Sequence, residues 1–243
     1  MKLIISRKTK RKNVQITVNW DREVTQRFPQ LQICIGEISN LCNENSNSEI
    51  QKLRSKLCDE VRARFEIETL KDEHAVRAYR DFYWKLDVDP TKTRPSGEAL
   101  LRRVLHGDEL PQISTAVDAY NLVSMETMIP ISGFDADLLE QSFHVRFART
   151  DESFVGIGMT QPIMLKDNAL VLADEKRILC IYPYRDSDYS KITLQTRNAL
   201  IVAYGAPGKT ETLLRNTVET TLSYIKQTSR GDPKPAKIFS ATV

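Results

Sequence analysis

The stretch LDVDPTKTRPSGEALLRRVLHG, residues 86–107, carries the densest local structural signals in the chain. Each of its two prolines disfavours helical backbone at the residue before it, so Asp89 and Arg94 should be extended. Pro95 or Ser96 then begins a helix, and Gly107 ends it. Four apolar residues at helical spacing predict the buried face of this helix: Leu100, Leu101, Val104 and Leu105. The pattern indicates a short helix with a proline-set entry and two arginines on a flank.

The residues before this stretch predict strands followed by helices. Two early segments, NVQITVNW and LQICIGEI, alternate apolar and polar residues as half-buried strands do. The segment SEIQKLRSKLCDEVRARF has apolar residues at helical spacing, with Ser48 as its N-cap and Gln51 completing a capping box. We expect a further helix over residues 71–83.

From about residue 143 the sequence changes to short β-rich runs, namely FHVRFA, FVGIGM, ALVLA, RILCIYPY, KITLQT and ALIVAYG. An amphipathic helix, GKTETLLRNTVETTLSYIKQ, follows them. The predicted fold class is α+β, with a helical and mixed N-terminal half packed on an antiparallel or mixed β-sheet and a C-terminal amphipathic helix. We divide the chain into a mixed α/β extension (1–70), a main domain (71–230) and a flexible tail (231–243).

The composition is that of an ordinary globular protein. The chain has 243 residues, of which 41% are hydrophobic and 28% charged, and this length suffices to bury a core. Its four cysteines form no CxxC pair and its three histidines are dispersed, so the sequence predicts reduced thiols, no metal site and no cofactor. No apolar run is long enough for a signal peptide or a membrane span, so we expect a cytoplasmic location.

Charge and motifs restrict the classes of function. A net charge of +3 is too small on its own to indicate a nucleic-acid-binding protein. The cluster RKTKRK, Arg7 to Lys12, is either a solvated basic N-terminus or a phosphate-contacting arm. The segment GAPGKT, residues 205–210, lacks P-loop spacing, and no GxSxG elbow is present, so neither a nucleotide site nor a serine nucleophile is expected.

Four motifs follow one another between residues 89 and 196: DPTKTRPSGEALLRR, LPQISTAVDAYNLVS, PISGFD and RDSDYSKITLQT. In this order they resemble the editing and tRNA-recognition domain of the phenylalanyl-tRNA synthetase β subunit, and most closely its stand-alone relatives. The resemblance covers roughly residues 75–205, so residues 71–230 are interpreted as an editing-like, tRNA-binding domain. No aminoacylation motif or ATP-binding loop accompanies the four motifs, and we do not expect a whole synthetase.

In the synthetase this domain hydrolyses the ester of wrongly attached tyrosine, because an apolar pocket cannot strongly reject an isostere that adds a hydroxyl. The resemblance implies Asn121 and Ser132 as catalytic residues, although a structural turn amide remains an alternative for Asn121. Ser132 stands where bacterial synthetases often have His. The resemblance also implies Arg185, Asp186 and Asp188 as substrate-binding residues. The family has one acidic residue, usually Glu, at this turn, and that position falls on Asp188 or else on Asp186. Ser in place of His and Asp in place of Glu are departures from the family pattern, and they leave open which amino acid is recognised.

The resemblance implies tRNA as the partner, with its acceptor end near Lys92, Arg94 and Arg103. The first hypothesis is a stand-alone, trans-acting aminoacyl-tRNA deacylase that hydrolyses the ester of mischarged tRNA with a positioned water. One alternative is a non-catalytic module that binds tRNA or an amino acid, and another is a hydrolase of amino-acid derivatives that uses no tRNA. We expect neither DNA nor a membrane as a partner, and the sequence leaves the oligomeric state open.

Overall fold

The computed structural model describes residues 15–241, so the basic cluster Arg7 to Lys12 lies outside the described residues. Two short 3-10 helices lie at Leu70–Asp72 and Ala136–Leu138. None of the helices in the described range is long and apolar enough to cross a membrane. The α-helices of this range are α1 (Arg22–Arg27), α2 (Ser48–Arg64), α3 (His74–Lys85), α4 (Ser96–Leu105), α5 (Thr115–Thr127) and α6 (Glu211–Ser229).

Two five-stranded sheets carry most of the strands. In the first, mixed sheet the spatial order is β1 (Thr17–Trp20), β4 (Ser142–Phe147), β7 (Leu170–Ala173), β8 (Ile178–Ile181) and β9 (Arg185–Asp186). Strand β1 runs parallel to β4, and the other pairs are antiparallel. The second, antiparallel sheet has the order β11 (Asp232–Pro233), β2 (Gln32–Ser39), β10 (Ala199–Tyr204) and β3 (Ile131–Asp135), with β12 (Lys237–Ser240) also on β2. A small hairpin joins β5 (Ser153–Phe154) to β6 (Ile163–Met164).

The predicted α+β class is confirmed, with a helical first half, a mostly antiparallel second half and a closing amphipathic helix. The buried face of α6 includes four apolar residues at the helical spacing that the amphipathic pattern predicts, namely Leu214, Val218, Leu222 and Ile225. The core is continuous across residue 70, because residues of α2, α3 and β2 pack in one hydrophobic cluster with residues of both sheets. The domain boundary near residue 70 stays a prediction.

Several local predictions need correction. The segment KITLQT is not a strand: it is irregular, with one turn at residues 194–195, and Lys191 alone forms an isolated bridge, to Phe134. Asn47, not Ser48, caps α2, because its extended backbone places its side chain to accept from the Ile50 amide at 3.0 Å. The helix predicted over residues 71–83 begins at His74, after the 3-10 turn, and ends at Lys85.

The end of the described chain also differs from its prediction as a flexible tail (231–243). Strand β11 pairs with the Ile38–Ser39 end of β2, and β12 pairs with residues 32–35 of the same strand. The Ala241 amide adds a further bond by donating to the Leu31 carbonyl at 2.8 Å. These residues therefore cover one edge of the second sheet.

The helix predicted within residues 86–107 is confirmed as α4, and its contacts hold neighbouring helices together. Pro95 precedes α4, and Gly107 has φ +85°, the left-handed conformation in which glycine commonly follows a helix end. Helix α4 packs closely on α5: a Cβ on Gly97 would lie 2.5 Å from the Ser124 carbonyl oxygen. The buried Glu98 carboxylate pairs with Arg102 of α4 and, from α3, with Arg80. These contacts hold α4 against α3 and α5, and α5, the helix that carries the VDAYN motif, in turn contacts β3.

Candidate functional site

The two large sheets meet where their edge strands lie side by side. Strand β9 is the last strand of the first sheet, and β3 is the last strand of the second. The chain leaving β9 runs along β3: the Asp135 amide donates to the Ser190 carbonyl at 2.8 Å, and Phe134 forms a bridge with Lys191. This junction brings side chains from two sequence motifs into contact.

Ser132 of β3 and Asp186 of β9 are joined across this junction. The Ser132 hydroxyl donates a hydrogen bond of 2.5 Å to an Asp186 carboxylate oxygen. Ser132 is 4% exposed, so the bond is shielded from bulk water on the serine side. A serine hydroxyl that donates its one hydrogen keeps its two lone pairs as acceptors for another molecule. The structure therefore brings together one predicted catalytic residue and one predicted substrate-binding residue.

The Asp186 carboxyl has an unusual protonation equilibrium. Burial raises its pKa to about 7, although the hydrogen bond from Ser132 and the charge of Arg185 act in the opposite direction. Near neutral pH the group is therefore present in both its acidic and its basic form. Perturbed carboxyl groups of this kind are concentrated at functional sites, although structural networks produce them as well.

Two further polar groups complete this junction, and sequence reasoning missed both. Cys180 lies opposite Asp186 in the β8–β9 register, and its sulfur is 3.0 Å from the Tyr204 hydroxyl. Burial raises the pKa of both groups, and the neighbouring Asp186 charge raises them further. Cys180 is therefore held as a neutral thiol and is a poor nucleophile. The β8–β9 hairpin register is the signal that could have placed it beside Asp186.

A third hydroxyl at the junction, that of Ser190, is buried and has no hydrogen-bond partner among the described residues. Ser190 is fully buried, and its Oγ makes no hydrogen bond to any residue in the range 15–241. Its backbone carbonyl is the group that accepts from the Asp135 amide of β3. Buried hydroxyls are normally paired, so a water or a ligand polar group would satisfy Ser190.

Asp188 and Arg185, two other residues of the RDSD motif, have partners outside the Ser132–Asp186 pair. Asp188 pairs with Lys191 at 2.6 Å, and both side chains are about two-fifths exposed. Arg185 is exposed and donates to the Ile157 carbonyl at 3.3 Å, and it forms no salt bridge within the part of the chain that the structure describes. Of the two acidic candidates, the structure places Asp186, rather than Asp188, against Ser132.

Asn121 lies within α5, which excludes the turn-amide alternative. It is partly exposed, and its amide makes no side-chain hydrogen bond to another described residue. Its neighbour Tyr120 faces β3, with a ring carbon 2.6 Å from where a Cβ on Gly133 would lie. Asn121 therefore follows a residue that packs on β3, but no hydrogen bond joins its own side chain to the Ser132–Asp186 pair within residues 15–241.

The three predicted tRNA-binding cations lie around α4. Lys92 and Arg94 are exposed in the loop before this helix, and neither forms a salt bridge within residues 15–241. Arg103 is also exposed, and its guanidinium donates to the Glu109 carbonyl at 3.0 Å. All three could reach an external anion, but the structure joins none of them by a hydrogen bond to the Ser132–Asp186 pair.

Comparison with known proteins points to one family. Residues 78–228 match the family model described as the B3/4 domain. The phenylalanine–tRNA ligase β subunit of Neisseria meningitidis serogroup B is 29% identical over 116 residues, which is 48% of this chain and 15% of that protein. The corresponding subunit of Francisella tularensis is 35% identical over 89 residues, or 37% of this chain and 11% of that protein. The match thus spans only a small part of these relatives.

The chain also aligns with part of one solved structure. An N-terminal fragment of the phenylalanyl-tRNA synthetase β subunit from Pyrococcus horikoshii aligns with a TM-score of 0.46 and 12% sequence identity. The alignment covers 93% of this chain and 51% of that chain.

Proposed function

The chain belongs to the B3/4 domain family, and from this membership we propose that it binds tRNA and hydrolyses the ester bond of mischarged aminoacyl-tRNA in trans. The support comes from the matched relatives, which are phenylalanine–tRNA ligase β subunits, and from the four motifs in this sequence. A role on aminoacyl-tRNA agrees with the expected cytoplasmic location.

The observation that carries the proposal is the hydrogen bond between Ser132 and Asp186. It joins the PISGFD motif to the RDSD motif, which are distant in sequence, at one polar junction. A carboxyl whose pKa is about 7 can accept a proton or donate a hydrogen bond under physiological conditions. Such a group is suited to contact the polar atoms of an amino-acid ester.

The proposed reaction is the addition of water to the ester carbonyl carbon, followed by cleavage of the bond to the ribose oxygen. The water loses a proton and the departing ribose oxygen gains one, so the products are the free amino acid and tRNA with a free terminal hydroxyl. Ser132, whose hydrogen is committed to Asp186, accepts a hydrogen bond from the water and orients it. The Asn121 amide, which makes no side-chain hydrogen bond within residues 15–241, could donate to the ester carbonyl.

Selection of the amino acid falls to the acidic groups. Asp186 accepts a hydrogen bond from a hydroxyl or an ammonium group of the substrate. Asp188 and Arg185 lie further out, on the exposed side of the same turn, and contact the substrate at the rim. The cations Lys92, Arg94 and Arg103 are proposed to hold the acceptor end of the tRNA through its phosphates.

A second candidate function is a non-catalytic module that binds tRNA or an amino acid. The observation in its favour is that no hydrogen bond links Asn121 to the Ser132–Asp186 pair among the described residues. In that case the junction would bind an amino-acid group without positioning a water for attack.

The test is a panel of mischarged tRNAs and free aminoacyl esters, with tRNA binding and ester loss followed over time. Wild-type protein should hydrolyse at least one mischarged tRNA faster than the uncatalysed rate, and Asn121→Ala should reduce turnover on every substrate. Binding without ester loss would establish the non-catalytic module. Loss of free esters without any tRNA binding would favour the tRNA-independent hydrolase.

A further inference from the structure

Two adjoining cavities form a groove on the side of α3 that faces the loop before α6. One, of about 400 Å³, is lined by α3 residues together with Pro207 and Gly208. The other, of about 480 Å³, is lined by residues 27–30 at the end of α1. Lys85 and Pro207 belong to the walls of both, so the cavities are continuous. We name this surface the α3 groove.

Three cations line the α3 groove without an acidic partner. Arg27, Arg77 and Lys85 are all exposed, and none forms a salt bridge with a residue in the range 15–241. The Arg27 guanidinium is held in place, since it donates to the Lys85 carbonyl and lies 5.4 Å from the centre of the Phe28 ring. A pre-positioned guanidinium loses little entropy when it binds an anion.

A fourth cation, Lys209, lies next in the chain to the lining residue Gly208. Its ammonium lies 5.5 Å from the centre of the Tyr79 ring. Burial lowers its pKa, because a half-buried ammonium loses hydration that no carboxylate replaces. The negative charge of an incoming phosphate would stabilise the charged form of this ammonium group.

The acidic residues of the groove are fewer than its cations. Asp72 and Asp81 line the same wall as Arg77, and both are exposed. They lower the positive potential but do not pair with the cations at salt-bridge distance. The residues that line the groove therefore comprise three cations and two carboxylates, an excess of one positive charge.

We propose that the α3 groove binds the sugar–phosphate backbone of the tRNA. Arg77 and Lys85 are eight residues apart on one helix, which at 1.5 Å per residue separates their Cα atoms by about 12 Å. A single phosphate would not span this distance, whereas a polymer with repeated phosphates contacts both. Arg27 extends the row to α1, which lies outside the segment that matches the family model.

This proposal rests on the proposed function, since it names the surface by which the same substrate is held. It differs from the surface expected around Lys92, Arg94 and Arg103, because α3 and the loop before α6 form it. Substitutions at one surface and at the other can therefore be compared for their effect on tRNA binding.

The experiment measures binding of deacylated tRNA by fluorescence anisotropy as KCl is varied. Each neutralised phosphate contributes about −0.7 to −0.9 to the slope of log affinity against log salt. The double variant Arg77→Gln/Lys85→Gln should weaken binding and make this slope shallower by about 1.4 to 1.8. The control Lys52→Gln/Lys56→Gln removes two exposed cations of α2 that already have acidic partners, and it should leave the slope unchanged.

A variant of opposite sign separates the charge effect from misfolding. Asp81→Asn removes a negative charge from the groove wall, so it should tighten tRNA binding at low salt. If wild-type protein binds tRNA and neither Arg77→Gln/Lys85→Gln nor Asp81→Asn changes affinity, the groove is not the tRNA surface. If Lys92→Gln/Arg94→Gln alone removes the salt dependence, the surface lies before α4 instead. Absence of tRNA binding by the wild type would overturn the proposed function itself.

Discussion

The Ser132 hydroxyl donates to the Asp186 carboxylate at 2.5 Å, and this bond connects the edge of one sheet to the edge of the other. The two residues are 54 positions apart in sequence. Neither lies on a flexible terminus: β3 is paired with β10, and β9 is paired with β8. The site is thus built on paired strands, which position side chains more firmly than loops do.

The stability of the protein should depend on the protonation of Asp186. Since the pKa of this carboxyl is raised in the folded state, the folded protein holds the proton more tightly than the unfolded chain. The free energy of unfolding should therefore fall as pH rises from about 4 to about 7, and the contribution should level off above pH 7. Relative to Asp186→Asn, the loss is at most about 4 kcal/mol.

Urea unfolding of wild type and Asp186→Asn between pH 4 and pH 8 measures this difference. Asp188→Asn is the matched control, because that carboxylate is partly exposed and paired with Lys191. If the curves of wild type and Asp186→Asn run parallel across the whole range, Asp186 does not titrate with a raised pKa.

Asp186 should determine which amino acid is removed. If its carboxylate pairs with a substrate hydroxyl or amine, Asp186→Ala should change the order of preference by roughly 5- to 150-fold, which corresponds to one unpaired buried polar group. Asp188→Ala should change the preference less, because solvent and Lys191 already satisfy that carboxylate. Rates over the mischarged panel give both results, and an equal loss of rate on every substrate by Asp186→Ala would remove its role in selectivity.

The buried carboxylate of Glu98 should be essential for stability. Burial raises its pKa, but hydrogen bonds and charges from Arg80 and Arg102 outweigh this effect and hold the pKa below its usual range. Glu98→Ala leaves the two arginines without their shared partner, and the expected cost is about 3 to 5 kcal/mol. The exposed pair Glu49–Lys52 provides the comparison, since Glu49→Gln should have little effect on urea unfolding. Similar midpoints for the two variants would show that Glu98 is not a structural anchor.

Gly97→Ala should destabilise the contact between α4 and α5. The added Cβ would meet the Ser124 carbonyl oxygen at 2.5 Å and the Met128 Cα at 2.7 Å, and backbone atoms cannot rotate away. We expect a loss of about 1 to 3 kcal/mol, even though alanine favours helix more than glycine does. Pro95→Ala should cost less, about 0.4 to 1 kcal/mol, since it mainly restores freedom to the unfolded chain. Thermal unfolding of both variants checks the order, and a stabilised Gly97→Ala would contradict the close packing.

Local signals explain which parts of the fold the sequence could predict. The bounds of α4 follow from Pro95 and Gly107, and the buried face of α6 follows from its apolar spacing. The strand at residues 237–240 could not be predicted from local signals. Its partner β2 lies about 200 residues earlier, and the segment itself shows little alternation of apolar and polar residues. The apparent strand KITLQT failed for the opposite reason: it alternates, but Lys191 alone forms a bridge, to Phe134.

The candidate site was predictable only in part. The family resemblance indicated Ser132 and the turn at residues 185–188, but the choice between Asp186 and Asp188 needed the strand register. In that register Asp186 stands opposite Cys180, whereas Asp188 lies beyond the end of β9. The α3 groove was not predicted at all, because the cations that line it come from two helices, α1 and α3, that are distant in sequence.

The pairing of β2 has a consequence for how the chain is made. Strand β2 is synthesised early, yet each strand that bonds to it, β10, β11 or β12, leaves the ribosome about 160 residues later or more. Until then the apolar residues Ile33 to Ile35 and both hydrogen-bonding edges of β2 lack their final cover. A nascent chain in this state exposes an unpaired strand that can pair with other chains. The yield of folded protein should therefore depend on chaperones and on the speed of translation past residue 199.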